Sequence, residues 1–221
     1  MKTAGFLFTW LLILAVFAAA AYGIAADGEL LAGKMLYHAP PEATGLPEAE
    51  YPGVGRMTAA YLTGRAETFQ YTFRDGEGRE RPCFRDYEAD HMADCRGLIS
   101  LAGILRWVLG GAALLLAAAG MFRRRAFAGG VLAGLAAAGV LCLGLLLWGL
   151  TDFGSLFTAF HRLAFTNEGW LLDPRTDLLI RLMPTPFFVD LALRVFAWMT
   201  AAALAAAVIA GLIRKREKAK A

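Results

Sequence analysis

The sequence predicts a mainly α fold: a polytopic four-transmembrane-helix bundle with a small α/β outer-loop subdomain and interfacial helices. Three observations predict it. The chain has 221 residues, 58% of them hydrophobic, with a mean hydropathy of +0.51, which is too apolar for an ordinary soluble domain. Four runs reach the ~20 apolar residues that a bilayer crossing requires: about residues 3–26, 98–122, 127–150 and 187–213. Basic residues cluster where a membrane protein places them, at Arg123, Arg124 and Arg125 between the second and third runs, and at Arg214, Lys215, Arg216, Lys218 and Lys220 after the fourth.

Such clusters belong in the cytoplasm. Both termini are then expected inside a bacterial cytoplasmic membrane, with outer loops at about 27–97 and 151–186. The whole chain, 1–221, is expected to form one integral membrane domain. Of 19 acidic residues only Glu217 falls on the inner side, so the net charge of +3 is the sum of two opposed layers. Basic ends beside anionic lipid explain the pI, and nucleic acid is not an expected partner.

The first run exceeds the 7–15 residues of a signal-peptide core, and Lys2 alone supplies a basic n-region, so a retained span is expected. Cleavage near Gly23-Ile24-Ala25 is the alternative, and it would leave the outer loops unchanged. In the first outer loop Pro40, Pro41, Pro47 and Pro52 predict an irregular first half. A short helix is expected at 57–65. The alternating TFQYTF at 68–73, the turn-like RDGEGRERP and a second extended piece predict a two-stranded hairpin. Cys83 and Cys95 could pair, while Cys142 inside a span reads as packing; none has zinc-site spacing.

From Tyr87 the pattern turns helical and runs into the second span. It carries Glu88, His91 and Asp94 at i, i+3, i+6, so successive members are surface neighbours. Within the spans, Arg106 and Arg194 lie about eight and seven residues from the outer ends. Intramembrane charge points to a polar cavity or to snorkelling toward headgroups. In the second outer loop Phe157, His161 and Phe165 share a helix face. Asp173-Pro174 reads as an N-cap followed by proline at N1. The helix it would open has Leu178, Leu179, Leu182 and Met183 on one side and an Asp177–Arg181 pair on another, as an interfacial helix does. Thr185-Pro186 repeats the cap-plus-proline pattern and opens the last span.

All three histidines, His38, His91 and His161, lie outside. A single interfacial histidine satisfied by a neighbour needs no function. Two on ordered helices, with Glu88 and Asp94 near one and Asp173 and Asp177 near the other, point to proton transfer near neutrality. The chain has no HExxH, no GxSxG elbow and no Walker loop. A carboxylate-rich metal site at Glu88, His91, Asp94 and His161 matches no known zinc pattern. Without a protein nucleophile, the economical reading is general acid/base catalysis on a substrate that brings its own. The alternative from another class is a non-enzymatic accessory or receptor protein whose outer loop binds a partner. A transporter is disfavoured, since no carboxylate lies near the midplane.

The pattern Glu88-x-x-His91-Met92-x-Asp94-x-Arg96 before a span is followed by Phe160-His161-x-x-x-Phe165-x-Asn167-x-x-Trp170-x-x-Asp173-Pro174-x-x-Asp177-x-Leu179-Ile180 and by Pro184-x-x-Phe187-Phe188. It resembles the lipoprotein intramolecular transacylases (Lit), with the four-span plan and basic ends extending the likeness over essentially the whole chain. The first outer loop matches only in layout. The resemblance implies transfer of a fatty acyl group from the sn-2 ester of a lipoprotein's diacylglyceryl cysteine to the α-amine of the same cysteine. It also implies catalysis by His91 and His161, diacylated bacterial lipoproteins and membrane lipids as partners, and no cofactor and no metal. On that reading His161 is assigned the base role and His91 the partner, an order that can be reversed. Asp94 or Glu88 would hold a ring tautomer, and Asn167 and Arg106 would supply donors to the oxyanion. Phe160, Phe165 and Trp170 would line the acyl path or form an aromatic belt.

Overall fold

The structure is a computed structural model that describes residues 1–75 and 77–219. Gly76 of the turn and Lys220 of the basic tail therefore lie outside the described residues. Its elements, in order, are α1 (Lys2–Ala26), α2 (Gly28–His38), α3 (Pro41–Thr44), α4 (Tyr51–Leu62), β1 (Thr72–Arg74), β2 (Glu80–Pro82), α5 (Asp86–Gly120), α6 (Arg124–Thr151), α7 (Phe153–Ala164), α8 (Leu178–Leu182) and α9 (Thr185–Ala219). Contacts divide the chain into two units. One holds Met1–Ala20, Gly103–Asp152 and Leu193–Ala221, and the other holds Ala21–Ala102 and Phe153–Ala192.

The first unit is apolar helix. Among the described residues, Lys2–Ala26, the 66-residue stretch Asp86–Thr151 and Thr185–Ala219 are long and apolar enough to cross a membrane. A straight helix of that middle length would span about three bilayer cores at ~1.5 Å per residue. It is instead broken by a 3₁₀ turn at Met121–Arg123, and Arg123 leaves helical geometry at φ −139°, ψ 59°. The break separates α5 from α6 at the arginine triplet. Arg123, Arg124 and Arg125 share a cleft with Glu217 near the end of α9.

Small residues set the helix spacing here. A Cβ on Gly130 would collide with the Lys2 carbonyl oxygen, and one on Gly5 would collide with that of Phe127. Thr9, fully buried, donates its hydroxyl to the Val131 carbonyl at 3.2 Å. Close backbone approach with an interhelical hydroxyl bond is the physics of helix association in lipid. Gly130→Leu is expected to force α1 off α6 and cost about 1–3 kcal/mol, read as a lowered melting temperature in detergent. Gly129→Leu, at a position where a Cβ meets nothing within 4 Å, is the matched control and should be close to neutral.

The second unit resembles a soluble core. Met35, Leu46, Tyr51, Val54, Leu182 and Phe187 are essentially inaccessible and pack with Phe69, Phe84, Met92 and Leu179. The proline-rich first half of the long loop is helical rather than irregular. Pro41 opens α3 and Pro52 lies in the first turn of α4, where the missing N–H costs nothing. Asp27 caps α2 by accepting from the Leu30 N–H at 2.9 Å. Tyr51 anchors the loop between them through the Ala39 carbonyl and the Thr44 hydroxyl. The helix expected at 57–65 is α4, starting earlier. The hairpin forms with Phe73 opposite Arg81, its first strand displaced from 68–73 to 72–74.

The second outer loop departs from expectation at one end. Asp173-Pro174 opens a turn, with the N–H groups of Thr176 and Asp177 donating to the Asp173 carbonyl, and helix begins only at Leu178. The α8 leucines do not lie on a membrane surface: Leu178, Leu179 and Leu182 are buried in the core of this unit. An apolar stripe specifies burial but not what covers it. Asp177 and Arg181 do meet, but through the Asp177 carbonyl at 3.3 Å. The Asp177 carboxylate turns inward instead, to Tyr87, Thr176 and the Asp173 N–H. Cys83 and Cys95 are free thiols.

Candidate active site

Both histidines of interest belong to the second unit. His91 rides on α5 and His161 on α7, with ring centroids 6.1 Å apart. Each is nearly covered, at 9% and 7% exposure. The segment that begins α7 places Phe157 one turn before His161, and the spacing decides the ring's proton. Nδ1 of His161 lies 2.8 Å from the Phe157 carbonyl oxygen. A carbonyl only accepts, so Nδ1 carries hydrogen and, in the neutral ring, Nε2 presents a lone pair.

Four aromatic rings surround that imidazole: Phe157 at 4.0 Å, Trp170 at 5.0 Å, and Phe160 and Phe165 at 5.4 Å between centroids. Phe165 also meets His91 edge-on at 5.3 Å. This cover disfavours charge. Burial holds the His161 pKa below its usual value of about 6.5, against the opposing pull of the Phe157 hydrogen bond. His91 is lowered too, by burial first and then by a charge on His161, with Asp94 pulling the other way. Both rings are therefore neutral at pH 7.

Between the two states' values the unfolded chain binds more protons, so the stability these rings contribute is complete above about 6.5 and is lost as pH falls through the folded-state values. Histidine proton resonances in a bilayer or micelle sample should titrate with midpoints below that value for both rings. A midpoint above it for either would contradict the burial argument.

The surrounding polar residues are brought together with different roles. Asn167 donates its amide to Asp94 at 2.9 Å, accepts the Gly169 N–H at 2.9 Å, and its carbonyl accepts the Trp170 indole N–H at 3.0 Å. It thereby ties α5 to the loop that lays Trp170 beside His161. Glu88, 1% exposed, directs its carboxylate elsewhere: its two oxygens accept the N–H groups of Arg85 and Leu179 at 2.8 Å each. Asp173 engages Arg175 on the surface, and that guanidinium holds its carboxyl below the usual range. For Asp177 burial raises the pKa, but hydrogen bonds from Tyr87, Thr176 and the Asp173 N–H outweigh it and leave the value lowered. Arg106 belongs to the other unit, where its guanidinium lies 5.3 Å from the Trp107 ring.

Two residues take roles at the site that the sequence alone does not assign to them. Phe157 supplies the carbonyl that sets the His161 tautomer, and Cys95 brings its sulfur 3.6 Å from Nε2 of His91. Both stand at i±4 from a histidine, a spacing visible in the sequence but otherwise read as packing or as a disulfide candidate. Among the described residues no group of three or more His, Cys, Asp or Glu side chains is arranged to hold a metal.

A family profile described as "Lipoprotein intramolecular transacylase Lit" matches residues 6–188. No curated protein matches the chain. The in meso structure of the membrane integral lipoprotein intramolecular transacylase Lit from Bacillus cereus is similar, with a TM-score of 0.77 at 16% identity, over 97% of this chain and 96% of that one. A variant of that protein with one histidine changed to arginine gives 0.72 at 14% identity, over 99% and 93%. Another, with a histidine changed to alanine, gives 0.73 at 15% identity, over 97% and 94%. At such low identity these structures establish a shared fold.

Proposed function

The chain belongs to the lipoprotein intramolecular transacylase (Lit) family and is a multi-pass membrane acyltransferase, and from that premise we propose that it moves the sn-2 acyl chain of a diacylglyceryl lipoprotein to the α-amine of the same cysteine. The product is a lyso-form lipoprotein carrying an N-acyl, S-monoacylglyceryl cysteine. The substrate brings both ester and amine, so the protein need only juxtapose them and handle protons. Holding the two groups together can lower the barrier by ~7–11 kcal/mol.

The observation that carries the reading is the 2.8 Å contact of His161 Nδ1 with the Phe157 carbonyl, which commits the Nδ1–H and leaves Nε2 as an acceptor in the neutral ring. An α-amine with a pKa of about 8 must lose its extra proton before it can attack. As the neutral amine forms its bond to the ester carbonyl carbon, Nε2 of His161 takes the nitrogen's proton. When the bond from that carbon to the glycerol oxygen breaks, His161 returns the proton to this oxygen. Atoms and charge then balance with no water consumed. His91 serves as the partner ring. Phe160, Phe165 and Trp170 exclude water and offer the acyl chain an apolar path, and Asn167 and Asp94 hold Trp170 in place. Glu88 anchors the helix that bears His91 by accepting the Arg85 and Leu179 N–H groups.

The basic groups at Arg123–Arg125 and beyond Ile213 support an orientation with both termini in the cytoplasm and the histidines on the outer face of a bacterial cytoplasmic membrane. Expression in a bacterium lacking lipoprotein N-acylation tests the proposal. N-terminal lipopeptides should change from free-amine diacylglyceryl to N-acyl, monoacylglyceryl forms. An unchanged free amine in cells that contain the protein would overturn it.

A further inference from the structure

We propose that Cys95 is a positioning residue for His91: its thiol donates to Nε2, holds the imidazole as the Nδ1–H tautomer, and makes His91 the hydrogen-bond donor of the pair. This rests on the acyl-transfer reading and deepens it, because it gives each histidine a single role.

On α5 the cysteine stands one turn after His91, and its Sγ lies 3.6 Å from Nε2, a normal approach for the larger sulfur atom. Two proton placements satisfy that contact. Either S–H points at a ring nitrogen, or N–H points at sulfur. An imidazole nitrogen with its lone pair is a good acceptor and a thiol sulfur a weak one, so the first arrangement wins. The thiol keeps its proton near neutrality, since burial and then the charge of Asp94 push its pKa up to about 12.

With Nε2 accepting, a neutral ring must carry its hydrogen on Nδ1. That atom is covered by protein and has no hydrogen-bond partner among the described residues, in a side chain only 9% exposed. A buried donor without an acceptor is destabilising, and a catalytic role is one of the reasons native proteins retain such groups. The tetrahedral intermediate of acyl transfer supplies the missing acceptor, because its oxyanion requires a donor in a water-poor site. The two rings become complementary. His161 offers a lone pair on Nε2 because Phe157 holds its Nδ1–H, and His91 offers an N–H on Nδ1 because Cys95 occupies its Nε2. His91 gives a hydrogen bond and keeps its proton, since losing it would leave an imidazolate anion in a water-poor site. The proton that reaches the glycerol oxygen is the one His161 took from the amine.

The test is the ring-nitrogen chemical shifts of His91 in full-length protein labelled with ¹⁵N-histidine and reconstituted in lipid bilayers, assigned by comparison with His91→Gln. Wild type should show a protonated Nδ1 and an unprotonated Nε2. Cys95→Ser, which keeps a donor, should preserve that pattern and most of the turnover. Cys95→Val should give a mixture of tautomers and about a tenfold lower kcat, with KM within about twofold because ground-state binding is untouched. A protonated Nε2 in the wild type would overturn the proposal. So would lost turnover in Cys95→Val with the tautomer unchanged, which marks a packing role, or wild-type turnover in that variant. The wild-type spectrum decides the tautomer even if the protein converts no lipoprotein, so failure of the acyl-transfer reading and failure of this one are distinguishable.

Discussion

His161→Gln and His161→Ala are expected to reduce lyso-form production by about 10²–10⁴-fold, the usual worth of a positioned general base. The glutamine variant matters more because it fills the aromatic cage without offering a basic nitrogen. The cage itself, Phe157, Phe160, Phe165 and Trp170 about the ring, should survive it, so the melting temperature should stay near that of the parent while turnover collapses. The comparison separates the base from the box that holds it. His91→Ala should also lower turnover severely, but by a different route, since it removes a donor to the oxyanion rather than a proton acceptor; loss of one such donor is worth about 10²–10³ in kcat. The readout is tandem mass spectrometry of the N-terminal lipopeptide, with protein levels matched. Normal lyso-form output from His161→Gln would remove the base from the mechanism.

Glu88→Ala is expected to give the largest loss of stability of any single change at the site. The side chain is 1% exposed, and its oxygens satisfy two backbone donors, the Arg85 N–H at the start of α5 and the Leu179 N–H in the first turn of α8. Truncation strands both. Each unsatisfied buried N–H costs about 1–3 kcal/mol, so a total of about 2–6 kcal/mol is expected. Glu88→Gln should lose roughly half as much, because the amide keeps one accepting oxygen but turns an NH₂ group toward the other donor. Thermal unfolding in a mild detergent gives the comparison. Glu88→Ala melting like the parent would mean that α8 is held chiefly by its leucines. The change should also loosen the approach of α5 to the loop carrying Trp170, so residual activity should fall more than the fraction unfolded accounts for.

Much of this molecule is legible in its sequence. The four apolar runs mark the long helices because lipid leaves no other way to satisfy a backbone, and α5 begins within a residue of where the pattern turns helical. His91 and His161 can be picked out as a pair because proton chemistry near neutrality leaves few other side chains. Less legible are interactions between distant segments. Glu88 reads as a candidate catalytic neighbour of His91, three residues away, yet its carboxylate goes to Leu179, 91 residues on. Asn167 reads as an oxyanion donor, and in the structure its amide meets Asp94, 73 residues back. Proline misleads in the first outer loop because a residue that breaks a helix interior also starts one, as Pro41 and Pro52 do. The α8 stripe of leucines shows the complementary limit: periodicity marks a face that must be covered, and the cover here is protein core, not lipid.

In this mechanism one molecule of substrate supplies both acyl donor and acceptor while two neutral histidines handle the proton and the oxyanion. The most direct test mixes equal amounts of two synthetic diacylglyceryl lipopeptides, one with deuterated acyl chains and a distinct peptide sequence, with the purified full-length protein in lipid. Fragmentation in the mass spectrometer reads where each chain resides. Intramolecular transfer gives products isomeric with their parents, each with its own chain on nitrogen and none exchanged between peptides. Chains crossing between peptides, or products lighter by the loss of an acyl group to water, would contradict it.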